Sequence, residues 1–457
     1  MSGALASAIR QLVAEDLASG EASLLTGDDR REFARQQIFS HLDALVDEGA
    51  HGWAPRGPDD EQGLAQSVLD ALFGLGRLQE LVDNPEIENI DINGCDRVWA
   101  TFADGSKRLM PAIAESDEEL IDTVRSAASR FGLSERRFDL ARPELDLRLP
   151  DGSRLSALMA VTARPSVSIR RHRFSDLSLE DLTRLGTVDR DLASLLGAAV
   201  RARKNIVVSG AMNSGKTTLL RALAAEVGPR ERIVTIEQAL ELGLHAAPDR
   251  HPDMVALEAR PANVEGEGLI SVADLVRRAL RMNADRVIVG EVLGDEVLPM
   301  LNAMSQGRSG SMCTIHSDSS AGVFRRIASY AVQAPERLPL EASNLLIAGA
   351  IHFVVHLDSE TIQDHRASGL AFDASGHPSD EAAVPCHFPS APNRQRFVSS
   401  VREVVDAEGV QVISNEIFRP GSDRRAVAAS PIRPETVREL RLFGYEPSTS
   451  DAFGMLV

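Results

Sequence analysis

Hydrophobic and polar positions change rhythm twice along the chain. Up to residue 75, apolar residues recur at helical spacing over Ala8–Ala18 and Phe33–Val46, with Asp28 or Asp29 placed to cap the second helix. The Gly- and Pro-rich stretch Gly49–Asp60 then reads as a linker. From Leu72 the pattern mixes. A helix through Leu78–Val82 precedes short strand-like pieces at Ile87–Ile92, Arg97–Phe102 and Ser153–Ala157, with turns at Asn93-Gly94, Asp104-Gly105 and Asp151-Gly152. This predicts a small α+β domain ending near the basic stretch Ser168–Arg173, with a hinge over 174–182.

Strand and helix then alternate regularly, as in a parallel sheet with crossover helices. Strands are predicted at Asn205–Ser209, Arg232–Glu237, Arg286–Glu291 and Ser311–His316, and helices at Thr217–Val227, Ser271–Met282, Asp295–Ser305 and Ala321–Val332. Ser359–Asn393 breaks the pattern and reads as a long mobile loop. Strands at Arg396–Val404 and Gly409–Phe418 and a helix at Glu435–Phe443 close the chain. The expected divisions are a helical extension and linker (1–74), an α+β domain (75–173), the hinge, an α/β domain (183–358), the loop (359–395) and a C-terminal piece (396–457).

The 457 residues carry 49 Lys and Arg against 67 Asp and Glu, a formal net charge of −18. With 43% hydrophobic and 25% charged residues, the composition is that of an ordinary globular chain and excludes collagen-like, coiled-coil and wholly disordered readings. An acidic chain gains no general attraction to phosphate backbones, so nucleic acid is not an expected partner. Residues 1–75 set five Arg against thirteen Asp and Glu, which reads as a mobile acidic appendage or a segment that docks a partner. Cys95, Cys313 and Cys386 are odd in number and far apart, which argues against a disulfide framework or a zinc ribbon. The start lacks a charged segment followed by a sustained apolar one. The longest apolar run, Asn344–Leu357, is too short to span a bilayer. Both features predict a cytoplasmic chain with only peripheral membrane contact. Lys107, Lys204 and Lys216 are its three lysines.

Lys216 falls in the chain's sharpest motif. Gly210-Ala-Met-Asn213-Ser214-Gly215-Lys216-Thr217 fits G-x-x-x-x-G-K-[ST] between a predicted strand and a predicted helix. The glycines let backbone N–H groups and the helix dipole face a phosphate. Lys216 would reach the β- and γ-phosphates of ATP, the Thr217 hydroxyl would ligate Mg²⁺, and Thr218 follows in the first helical turn. Glu237 and Glu291 end neighbouring apolar runs, where a carboxylate orients water or holds a metal's hydration shell. His316 ends another run, and the sequence leaves it open between a structural and a site role. The basic segment Arg170-Arg171-His172-Arg173 is open between a solvated face and a source of arginines for a nucleotide.

In this order and spacing the residues resemble the secretion-ATPase superfamily of type II and type IV secretion motors, most closely its tight-adherence (Tad/CpaF-type) pilus-assembly branch. The resemblance runs from about Leu75 to Phe418. It includes Leu81-Val-Asp-Asn-Pro-Glu-Ile-Glu-Asn-Ile-Asp-Ile-Asn-Gly94, Asp146-Leu-Arg-Leu-Pro-Asp-Gly-Ser-Arg154, Ser168-Ile-Arg-Arg-His172 and the phosphate-loop motif. It continues with Thr235-Ile-Glu237, Arg260-Pro-Ala-Asn-Val-Glu-Gly266, Leu280-Arg-Met282, Asp285-Arg-Val-Ile-Val-Gly-Glu291 and Thr314-Ile-His316. It implies an α/β fold with a RecA-like P-loop NTPase core, a smaller α+β N-terminal domain and an acidic helical extension.

The function it implies is a homo-hexameric, Mg²⁺-dependent ATPase that drives pilin assembly or secretion through an inner-membrane platform protein. By the same resemblance Glu237 activates water, Glu291 lies near Mg²⁺, His316 contacts the γ-phosphate, and Arg148, Arg154, Arg170 and Arg171 lie where the N-terminal domain approaches the nucleotide. Three positions depart from the family pattern: Leu293 and Arg308 stand where arginine and histidine are usual, and Gln238 stands where aspartate is frequent. These departures keep open a nucleotide-binding regulatory subunit with little turnover. A RecA-like nucleic-acid motor shares the loop but has acidity and a mere two Trp and two Tyr against it.

Overall fold

The computed structural model describes residues 2–25, 27–47, 58–103, 105–131, 137–171, 177–263, 265–305, 309–362 and 393–446. They form two compact units, one containing residues up to 171 and the other residues from 177 onward.

The first unit begins with three helices, α1 (Ser2–Ala18), α2 (Gly27–Asp47) and α3 (Pro58–Phe73). They close around Ile9, Val13, Leu17, Ile38, Leu42, Val68 and Leu69, so the acidic segment has a hydrophobic core of its own. Two expectations shift here. Asp28 and Asp29 lie inside the first turn of α2 rather than ahead of it. Pro58–Asp60, read as linker, opens α3; proline fits a first helical turn because its missing N–H would be unpaired there anyway.

A short helix α4 (Gln79–Asp83) leads into β1 (Ile87–Asn93), β2 (Val98–Phe102), β3 (Lys107–Met110), α5 (Asp117–Phe131), β4 (Glu144–Arg148), β5 (Arg154–Leu158) and β6 (Ser166–Arg170). The strands form one antiparallel sheet in the order β3-β2-β1-β6-β5-β4. Buried and exposed residues alternate along β4, β5 and β6, so one face packs on the core and the other faces solvent. Leu120, Val124, Ala127 and Ala128 bury one side of α5 in that core. Gly94, Gly105 and Gly152 have positive φ at the three expected turns.

In the second unit α6 (Leu179–Arg184) starts at a capping box between Ser178 and Asp181, so residues 178–182, expected as hinge, enter a helix. Then follow α7 (Arg190–Arg201), β7 (Ile206–Gly210), α8 (Lys216–Ala224), β8 (Ile233–Glu237), β9 (Met254–Glu258), α9 (Val272–Ala279), β10 (Arg286–Val292), α10 (Val297–Ser305), β11 (Met312–His316), α11 (Gly322–Gln333) and α12 (Leu340–Ala350). The last elements are β12 (Phe353–Ile362), β13 (Asn393–Glu408), β14 (Gln411–Pro420), β15 (Ala426–Ala428) and α13 (Pro434–Arg441). One nine-stranded mixed sheet runs β15-β14-β13-β12-β7-β11-β10-β8-β9. It is parallel from β9 to β12 and antiparallel beyond. Strands β7 and β8 are buried at every residue, as continuous apolar runs covered on both faces must be.

The apolar run Asn344–Leu357 divides between the end of α12 and the start of β12. Among the described residues no helix is long and apolar enough to cross a membrane. Strand β12 continues to Ile362 and β13 starts at Asn393, so the expected loop 359–395 gives up residues at both ends. The rest of it, 363–392, lies outside the described residues. So does Arg308.

Candidate active site

Strand order assembles the site. In the sequence β8-β10-β11-β7, neighbouring parallel strands deliver Glu237, Glu291, His316 and Gly210 at their carboxyl ends, and His316 is the register partner of Gly210. Open parallel sheets bind ligands at this edge.

The loop 210–217 has an anion-binding shape. Asn213 (φ 58°) and Gly215 (φ 95°) are both left-handed, which turns successive amides toward one concavity ahead of α8. At Gly210 (φ 153°) a Cβ would stand 2.5 Å from the Leu357 carbonyl oxygen and 2.5 Å from Ser214 Oγ, so no side chain fits. Ser214 is 1% exposed, and its hydroxyl has no hydrogen-bond partner among the described residues. Thr217 and Thr218 are half-buried behind Lys216.

Lys216 is buried, and burial pushes its pKa below the ordinary lysine value, with Glu291 opposing. Its Nζ donates to the Ala211 carbonyl at 3.0 Å and to His316 Nδ1 at 3.1 Å. An ammonium only donates, so Nδ1 accepts and the ring proton sits on Nε2, which is 2.6 Å from Glu291 Oε1. Three residues found separately in the sequence thus form one chain, Lys216 to His316 to Glu291. Among the described residues no carboxylate lies within ion-pair distance of Lys216. A buried cation with neutral partners beside an orphan hydroxyl fits a phosphate. Mg²⁺ would be held by Thr217 and, through water, Glu291. Among the described residues no cluster of three His, Cys, Asp or Glu could hold a metal ion.

Glu237 is placed differently. It is 3% exposed, with Oε2 accepting from the backbone N–H groups of Glu241 and Leu242 at 2.7 Å each, while Oε1 has no partner among the described residues. Burial, helped by the charges of Glu241 and Glu258 and opposed by those two N–H bonds, pushes its carboxyl up to about 7. Gly290 makes room for it: a Cβ there would come 2.9 Å from Glu237 Cγ. Gln238 is exposed beside it. Leu293 is more than half exposed, and its N–H and that of Gly294 are held by Glu296.

The arginines belong to the other unit. Arg148 pairs in register with Arg154, and Arg154 with Arg170, which places a row of three cations on the solvent face of the antiparallel sheet. Like charges directly opposite each other destabilise a sheet. Asp146, 3.6 Å from Arg154, is an ion-pair partner within the row's own face. Arg171 turns away from the row. It donates to the backbone carbonyls of Asn84, at 2.5 Å, and Val82.

Sequence reading missed four residues along this edge of the sheet. His356 on β12 lies 2.9 Å from Ser209 Oγ. Thr314 Oγ1 donates to the Gly290 carbonyl at 2.6 Å. Glu258 ends β9 and accepts from the Leu240 N–H at 3.3 Å. Arg396 on β13 donates from Nε to the Asn213 carbonyl at 3.0 Å. Strand β12, hidden in the apolar run Asn344–Leu357, carried the signal for His356; Asn213 and Arg396 stand 183 positions apart and left no local signal.

Comparison with known proteins gives the family. A Mycobacterium tuberculosis protein provisionally named for conjugal transfer is 35% identical over 309 residues, covering 66% of this chain and 84% of the relative. The type IV secretion system protein VirB11 of Brucella suis is 29% identical over 313 residues, covering 62% and 84%. PtlH, a type IV secretion system protein of Bordetella pertussis, is 29% identical over 320 residues, covering 64% and 92%. Among solved structures, the VirB11 ATPase of Brucella suis matches with 26% identity and a TM-score of 0.33, covering 67% of this chain and 94% of that one. The model of the family described as "Type II/IV secretion system protein" matches residues 73–417, three quarters of the chain, and the chain belongs to that family.

Proposed function

We propose that the protein is a Mg²⁺-dependent ATPase that works as a homo-hexameric motor of a pilus-assembly or secretion machine of the Tad type. Its core is RecA-like, and it acts in the cytoplasm against an inner-membrane platform protein. The observation that carries the hydrolytic part is the chain Lys216–His316–Glu291 at the mouth of a left-handed, glycine-gated loop. The secretion role rests on the family and on VirB11 and PtlH, both named as secretion system proteins.

In the proposed mechanism Lys216 exchanges the Ala211 carbonyl for phosphate oxygens, gaining a charge-assisted partner where it now has neutral ones. His316 accepts from Lys216 on one nitrogen and donates to Glu291 on the other, so loss of the γ-phosphate is relayed to β10. Glu237 Oε1 takes the proton of the attacking water; a base whose pKa is about 7 suits that task at neutral pH. Mg²⁺ supplies charge neutralisation on the phosphates. Arg148, Arg154 and Arg170 form a cationic row in their own unit, whereas Arg171 serves its own fold.

Phosphate release by the purified chain, with and without Mg²⁺, tests this beside K216A. The mass in solution with a non-hydrolysable ATP analogue tests the ring. Turnover that survives in K216A overturns the site. Tight, Lys216-dependent binding with no turnover replaces the motor by the second reading, a nucleotide-holding regulatory subunit, which the exposed Leu293 favours.

A further inference from the structure

The phosphate loop is held on its outer side by a side chain from the antiparallel part of the sheet. Arg396 lies on β13, opposite Ser359 of β12, and β12 is the parallel neighbour of β7. This brings Arg396 beside the loop that follows β7 without any help from sequence proximity. Its Nε donates to the carbonyl of Asn213 at 3.0 Å. Its methylene stem lies over the next left-handed residue, because a Cβ on Gly215 would stand 3.2 Å from Arg396 Cδ and 3.9 Å from its Cβ. One side chain therefore touches both left-handed residues of the loop, Asn213 and Gly215.

Asn213 matters in this respect. An asparagine visits the left-handed region more readily than most side chains but pays more for it than glycine, so a loop with asparagine there gains from an external restraint. A carbonyl fixed outward also fixes its peptide plane, and the N–H of Ser214 on that plane then points inward, where it reaches the Ala211 carbonyl at 3.4 Å. Leu357 completes the brace from β12, with its carbonyl against Gly210 and its side chain 3.8 Å from the Cβ position of Gly215.

We propose that Arg396 is a positioning residue of the nucleotide site, which holds the loop 210–217 in its phosphate-binding shape before nucleotide arrives. This deepens the nucleotide reading of the site and rests on it. The brace removes ordering cost from binding, so its loss appears first in nucleotide affinity. It also makes β13, which belongs to the part of the chain beyond residue 392, a component of the nucleotide site.

The test uses the full chain. Calorimetric titration with MgADP is run on wild type, K216A, R396A and R396K, together with steady-state ATP turnover and amide hydrogen exchange over residues 211–218 without nucleotide. The expected result is an affinity roughly tenfold weaker in R396A, partly restored in R396K, with most of the kinetic loss in KM rather than kcat. Faster exchange confined to 211–218 in nucleotide-free R396A is expected alongside it. A merely structural role would shift unfolding without this confined change and without rescue by lysine, and that result overturns the proposal. Lys216-dependent MgADP binding in wild type with equal affinity in R396A overturns the brace and leaves the site reading intact. Wild type that binds no MgADP overturns both. Should R396A fail to fold, R396K and R396Q carry the same comparison.

Discussion

Glu237 and Glu291 sit at the carboxyl ends of adjacent strands, after similar apolar runs, yet their surroundings share almost nothing. Glu291 is more than a third exposed and holds the outer nitrogen of His316. Glu237 is sealed in, with one oxygen occupied by two backbone N–H groups and the other left without a partner. The first is connected to the loop lysine by a hydrogen-bonded ring; the second is separated from solvent, and its proton affinity is raised accordingly. Equivalent positions in a parallel sheet thus yield two chemistries, set by the donors available and by the water excluded.

The most damaging way to probe this contrast is to remove the cation common to the loop and the Glu291 chain. K216A is expected to lower Mg²⁺-dependent phosphate release by about 10³-fold or more and to abolish measurable ATP binding, because the loop then presents amides without a charge. Glu237 keeps its backbone bonds in that variant, so hydrogen exchange at Glu241 and Leu242 is expected to stay unchanged.

E237Q separates the two carboxylates from the other side. Turnover is expected to fall roughly 10²- to 10³-fold with nucleotide binding retained, since general base catalysis contributes on that scale. In wild type the rate is expected to climb with pH through about 7 as Glu237 ionises. Stability moves the opposite way. The carboxyl titrates near 4.5 when unfolded and near 7 when folded, so ionising it in the native state costs free energy. That cost is absent below about pH 4.5 and complete above about pH 7, where it amounts to about 3 kcal/mol. Urea unfolding should therefore show E237Q gaining on wild type as pH rises from 4.5 to 8. A stability difference independent of pH would remove the raised pKa from the account.

H316A acts on the Glu291 side of the contrast. It deletes the ring between Lys216 and Glu291, leaves Glu237 untouched, and is expected to cost about 10- to 10²-fold in kcat with a smaller change in nucleotide affinity. Steady-state kinetics beside E237Q decide it: losses that add in free energy in the double variant mark two independent roles.

The sequence carried much of this arrangement and hid a definable remainder. Strands β7, β8, β10 and β11 were legible because burial on both faces demands an unbroken apolar run, and the loop motif followed the first of them. Strand β3 was not, since Lys107, Arg108 and Leu109 all face solvent and show no alternation. Helix α5 escaped although Leu120, Val124, Ala127 and Ala128 mark its buried side; two small alanines dilute the apolar signal. The run Asn344–Leu357 concealed a helix-to-strand boundary, because hydrophobicity alone does not distinguish a buried helix from a buried strand. Within the site, the residue types at strand ends were legible but their partners were not. That His316 bridges Lys216 to Glu291, and that Arg171 folds onto residues 82 and 84, depend on strand order and rotamer.

The smallest expected effect gives the finest separation of the two glutamates. Gly290 lies on β10 immediately before Glu291, yet the atom nearest its open Cβ position belongs to Glu237, Cγ at 2.9 Å, with Oε2 at 3.5 Å. G290A therefore pushes on the carboxylate of the neighbouring strand while its own neighbour in sequence points elsewhere. Overpacking of this kind costs about 1 to 3 kcal/mol, and here the flexible end of Glu237 gives way first. Displacement takes Oε2 off the N–H groups of Glu241 and Leu242, bonds that now hold its proton affinity down. The rate profile of G290A is thus expected to shift toward higher pH, with kcat at pH 8 reduced only severalfold and nucleotide affinity kept. Kinetics from pH 6 to 9 decide between the strands: a loss of nucleotide affinity with an unmoved profile would show that the methyl group disturbed Glu291 and its histidine instead.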